Sequence, residues 1–198
     1  MVIRILNNLR LLKTIKMVFS GSKVLVFKGM KVINKGTIYS SDNWVALGKV
    51  YECFHRRSGY IHIARGASLV FDGKVTINSG ARIYVGENAT LTIKDSFINF
   101  DFNCHVTEEV RIESCVIAES VIIRDSSGHE FNGVNKVKPI TLGPKVWIGL
   151  RSIIMPGTIL SKDVVVAANT VVSGEFSEGK LIAADRGCVV KEGITWKR

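Results

Sequence analysis

The most regular feature of the chain is an aliphatic residue at every sixth position, Leu142, Ile148, Ile154, Leu160, Val166 and Val172. The fourth residue after each is small or β-branched in five successive hexads: Val146, Ser152, Thr158, Val164 and Thr170. A period of six fits neither the 3.6 of a helix nor the 2 of a strand. It predicts very short strands joined by bends, each stacking its aliphatic side chain on that of the next coil. Gly143, Gly149 and Gly157 fall where a bend needs positive φ or leaves no room for a Cβ.

Upstream the pattern loosens. Ile117 and Ile123 keep the spacing, with Cys115 and Val121 at the small position. Earlier, apolar pairs two apart recur as Ile61/Ile63, Leu69/Phe71, Val75/Ile77, Ile83/Val85 and Leu91/Ile93, separated by turn residues such as Asp72-Gly73 and Asn78-Ser79-Gly80. Alone this half fits a sandwich as well, but continuity with the hexads makes one β-helix solenoid more economical. The repeat breaks at about 124–139, where Gly128, Gly133 and polar residues mark an excursion loop.

At the N-terminus Val2, Ile5, Leu6, Leu9 and Leu12 share one side of a 3.6-residue period, which predicts a short amphipathic helix. The organisation expected is a basic amphipathic segment at 1–20, a β-helix domain at 21–192 and a tail at 193–198. No apolar run approaches the roughly 20 residues that span a bilayer, and Asn7, Asn8 and Arg10 interrupt any signal-peptide core. A cytoplasmic protein is expected, its helix either capping the solenoid or lying peripherally on an anionic membrane surface.

Charge sharpens this picture. Of 27 Lys and Arg, 12 lie in residues 1–65 against only Asp42 and Glu52, so the net charge of +10 sits in the N-terminal third and the remainder is neutral. Such a region attracts phosphates, anionic lipids or acidic glycans, or is simply solvated. Nucleic acid is not expected, because neither a recognition helix nor an aromatic stacking platform accompanies the charge. Cysteines 53, 104, 115 and 188 form no CxxC pair and have no clustered His, so neither a disulfide framework nor a metal site is indicated.

Two segments carry candidate chemistry. Pro139-Ile140-Thr141, Gly143, Val146-Trp147-Ile148-Gly149 and Pro156-Gly157 resemble, at matching spacing, the hexapeptide-repeat acyltransferases, in particular the sugar and capsular polysaccharide O-acetyltransferases. Asp125-Ser126-Ser127-Gly128-His129 is similar to the Asp-x-x-Gly-His segment of their polysaccharide-modifying members. The resemblance, covering about residues 60–192, implies a left-handed β-helix, a homotrimer, and acetyl-CoA as donor in a groove between subunits. It implies direct transfer of an acetyl group to a hydroxyl of a sugar or polysaccharide acceptor, with His129 as general base. Chemistry agrees, since a sugar hydroxyl is a poor nucleophile at neutral pH and imidazole suits the removal of its proton.

Further roles follow from the same resemblance. Trp147 would face the pantetheine arm, Gly149 and Ala168 would border it through their backbone, and Arg186 or Lys191 would meet the 3′-phosphate. Asn99, thirty residues before His129, would contact the acceptor, or else bond its own backbone at a coil bend. Asp125 would orient the imidazole, or else cap the loop. The chain departs from the family at Ala167-Ala168-Asn169, commonly Gly-Ala-Gly, and at Gly187, usually proline.

Three other readings stay open. One is N-acylation of an amino sugar, and another is a non-enzymatic assembly subunit. The third, a metal enzyme of the γ-carbonic anhydrase kind, needs three His, and only His105 and His129 lie in plausible coils.

Overall fold

A computed structural model describes residues 23–41, 43–50 and 57–184, and within them the chain is all β. The amphipathic segment at 1–20 and the tail at 193–198 lie outside the described residues. Apart from one hairpin, every strand joins one of three parallel sheets visited in strict rotation. Sheet I opens with Val24–Val26, sheet II with Met30–Asn34 and sheet III with Thr37–Ser40, and the three hold eight, seven and seven strands. This is a left-handed parallel β-helix.

The expected stacking is observed along its whole length. Leu142, Ile148, Ile154 and Leu160 are fully buried, and Ile117, Ile148, Val166 and Ile182 follow one another in register down sheet I. Each of these side chains that is wholly removed from water, all but the half-buried Ile182, stabilises the fold by about 1.5–3 kcal/mol. The small sites do more than leave space. Ser152 donates from its hydroxyl to the Ala167 carbonyl at 2.8 Å, and Thr158 to that of Met155 at 2.7 Å. Buried hydroxyls thus find carbonyl acceptors at the narrow bends. Cys104 and Cys115 are buried too, and burial pushes the Cys115 thiol up to about 12.

Left-handed backbone marks the corners. Lys145, Arg151, Gly157, Asp163 and Asn169, themselves six apart, have φ between 55° and 77°. Of the three glycines singled out in the sequence, only Gly157 has positive φ; Gly143 and Gly149 serve by close approach.

The excursion at about 124–139 is an antiparallel hairpin, Ser126–Phe131 with Val134–Val137. It leaves the end of the sheet II strand Ile122–Arg124 and returns into the sheet III strand Ile140–Leu142. It therefore replaces one corner of the prism, the one between sheets II and III.

Candidate active site

Sheet I and its corner with sheet II carry four of the expected site residues. Trp147 points outward from sheet I and is 54% exposed, so it is not part of the core. Its in-register neighbour Val116 is 50% exposed, and both line a shallow depression of about 500 Å³ with Ser114 and Lys145. An apolar strip this open, beside a lysine, suits a thin, mostly apolar chain that ends in phosphate. Two residues along, Gly149 lies against the backbone of the next coil. A Cβ there would meet the Ala168 nitrogen at 2.6 Å and the Val166 oxygen at 2.7 Å. Gly149 and Ala168 are thus stacked backbone to backbone at this corner.

Asn99 occupies the same corner two coils earlier. Its Oδ1 accepts from Asn78 Nδ2 at 3.0 Å and from the Phe100 amide at 2.9 Å. The side-chain carbonyl of Asn99 therefore serves the bend, as turn asparagines do. Beside it Arg57 donates to both Asp101 and Glu119 (2.7 Å to Glu119 Oε1), with its guanidinium 5.7 Å from the centre of the Phe100 ring. Sequence reasoning missed this bridge across three coils, although Asp101 and Glu119 are one coil apart.

The corner between sheets II and III carries the other two. His129 is exposed on the outgoing strand of the hairpin, and the carbonyl of His129 accepts from the Ser127 hydroxyl at 3.0 Å. Asp125, at the root of the hairpin, is fully buried. Its carboxylate accepts from the amides of Thr107, Glu108 and Glu109 at 2.7–3.1 Å. Both oxygens accept from main-chain donors of the preceding coil, so of the two roles expected for Asp125 these contacts are those of the cap, at the turn from which the hairpin departs.

Within one chain, then, Trp147 lies on sheet I, Gly149, Ala168 and Asn99 at its corner with sheet II, and His129 at the corner beyond. Arg186 and Lys191 lie outside the described residues. Between the two corners runs the outward face of sheet II, where Tyr60, Arg82, Tyr84, Asn103, His105 and Arg124 line a depression of about 400 Å³. The His105 ring is tilted against Tyr84, ring centres 4.9 Å apart, with Nδ1 3.3 Å from Arg124 Nη2. Burial, then the charge of Arg124, lowers the pKa of His105, which keeps its ring neutral and able to accept from the guanidinium.

No protein-family model matches the chain. In sequence it is 28% identical over 146 residues to WbbJ of Escherichia coli strain K12, assigned as a lipopolysaccharide biosynthesis O-acetyl transferase, with 59% of this chain and 74% of that protein covered. It is 24% identical over 145 residues to the polysialic acid O-acetyltransferase of Escherichia coli O1:K1, covering 70% of this chain but only 45% of that longer protein. Among solved structures, a point mutant of AntD, an N-acyltransferase from Bacillus cereus in complex with dTDP and coenzyme A, matches the fold. Its TM-score is 0.52 at 18% identity, over 83% of this chain and 77% of that one.

Three-faced parallel coils and hexad stacking give the chain a left-handed β-helix fold, and in sequence it is similar to acetyltransferases. Two of its relatives in sequence are O-acetyltransferases.

Proposed function

We propose that this protein transfers the acetyl group of acetyl-CoA to a hydroxyl of a sugar or polysaccharide, with His129 as general base. The observation that carries this reading is the hairpin, which interrupts the parallel coils to present an exposed imidazole at a corner flanking a polar basin. Trp147 and Val116 offer the apolar strip along which the pantetheine arm lies, and the stacked backbone of Gly149 and Ala168 borders it. Arg186 and Lys191 supply cations for the 3′-phosphate. Asn99, its carbonyl fixed by Asn78 and Phe100, presents its amide donors toward the acceptor.

The reaction is a direct displacement. His129 takes the hydroxyl proton as the oxygen attacks the thioester carbonyl, the C–S bond breaks, and the proton passes to the departing thiolate, giving acetyl ester and free CoA. No covalent enzyme intermediate is required, and the buried Cys104 and Cys115 take no part.

The test is thiol release from acetyl-CoA across nucleotide sugars and oligosaccharides, with the product treated with hydroxylamine, which cleaves an ester and spares an amide. Wild type is expected to release thiol and form a hydroxylamine-labile product. His129→Ala should lower turnover by about 10²- to 10⁴-fold while the fold is retained. Turnover in that variant above about a tenth of wild type would remove His129 from the role of base, and a hydroxylamine-stable product would reassign the acceptor to an amine.

A further inference from the structure

The basin on the outward face of sheet II is not used by the chemistry just described, and its composition points to a ligand. Strand register lays its residues in two columns. Tyr60, Arg82, Asn103 and Ile122 follow one another in the first, and His62, Tyr84, His105 and Arg124 in the second. None of these positions is Asp or Glu; at the flanking corners Asp125 is buried and spent on three amides, Asp101 and Glu119 are bridged by Arg57, and Glu87 and Glu108 are exposed beyond the basin's lining. Arg82 and Arg124 stand two strands and two residues apart, about 12 Å between backbones, at opposite corners of the basin.

Two flat, amphipathic faces lie with these cations. Tyr60 is 43% exposed, and Tyr84 is held between His62, edge-on with ring centres 5.3 Å apart, and His105. His62 Nε2 is buried without a hydrogen-bond partner in this wall. Aromatic surfaces beside guanidinium forks match a ring with an apolar face and a planar anion, whereas a bare anion would use the cations alone. The basin also abuts the hairpin: a Cβ on Gly128, the residue before His129, would lie 3.5 Å from Arg124 Nη2.

We propose that this basin is an acceptor subsite for a carboxylate-bearing sugar unit, neighbouring the unit whose hydroxyl His129 activates. This rests on the saccharide acceptor proposed above and narrows it to acidic glycans. Arg124 and Arg82 hold carboxylates, Tyr60 and Tyr84 take ring faces, and neutral His105 keeps Arg124 pointing across the basin.

The experiment is calorimetric binding, without acetyl-CoA, of oligogalacturonate, oligomannuronate and heparosan tetrasaccharides, each beside its carboxyl-reduced counterpart and inorganic phosphate. At least one acid is expected to bind about tenfold tighter than its reduced form, and Arg82→Gln and Arg124→Gln should each weaken it about tenfold. Arg111→Gln removes the same charge from sheet III and should change binding less than about twofold. Equal loss in Arg111→Gln, displacement by equimolar phosphate, or no preference for any acid would overturn the subsite. Arginine-dependent binding with no thiol release would keep the subsite and remove the transferase reading. Thiol release from an acidic glycan with KM unmoved in Arg82→Gln would do the reverse.

Discussion

Asp125 and His129 are four residues apart in a motif that reads as a base and its orienting carboxylate, yet buried hydrogen bonds assign them separate work. Three amides of the turn at 107–109 converge on the Asp125 carboxylate, and bonds to a charged acceptor contribute about 1.5–3 kcal/mol each. Asp125→Ala would take the shared acceptor from those donors, so a stability loss of about 2 kcal/mol is expected by chemical denaturation. Turnover should fall only as the hairpin root loosens, and Asp125→Asn, which keeps acceptor oxygen, should recover much of both. A variant of full stability whose turnover falls as far as that of His129→Ala would restore the orienting role. Asn99 shows the same competition, its carbonyl held by the bend. Short polar side chains serve backbone before ligand wherever a tight turn leaves N–H groups unmet.

Strands and corners explain which parts of the fold are legible in the sequence. Trp147 pairs with Val165 eighteen residues on, three hexads to a coil, and this is where the sixfold pattern holds. Tyr60 pairs with Arg82 twenty-two residues on, through strands of five residues such as Gly59–Ile63. In those wider coils the alternation of a pleated strand replaces the hexad, so the early half reads as strands without a declared architecture. In the first coil the spacing of six survives only at Val26, Val32 and Ile38, too few to declare a repeat. The candidate base is legible because its motif is contiguous in sequence. The sheet II basin is not, because its residues become neighbours only when coil lengths are known. Corners are half legible. Glycine marks some, but Lys145, Arg151 and Asp163 adopt left-handed φ without it, at about 1–2 kcal/mol each. Gly149 has a different reason for being glycine, contact with the Ala168 and Val166 backbone. Gly149→Ala is expected to cost about 1–3 kcal/mol in thermal or urea unfolding and to raise the KM for acetyl-CoA. Unchanged stability would show that the coils can part there at no cost.

At the scale of the whole molecule the division between corners has a consequence for assembly. Trp147 lies outward on sheet I, while His129 belongs to the hairpin between sheets II and III. A second copy that sets its Trp147 face against the first copy's hairpin would complete a site neither holds alone. Repeated around a threefold axis, the same heterologous contact closes into a ring. The assembly should scatter light as three times the 21.8 kDa chain. Mixing gives the sharper test. His129→Ala and Trp147→Ala are each expected to be severely impaired at low acetyl-CoA. Co-expressed in equal amounts, they would form mixed trimers in which about a quarter of the sites pair an intact His129 with an intact Trp147 from a neighbour. Activity should therefore return to about that fraction of wild type, although neither parent has it. A site built within one chain admits no such rescue, because every chain in the mixture carries one defect. Activity no higher than the mean of the two parents, in trimers shown by mass to be mixed, would place Trp147 and His129 in the same subunit's site.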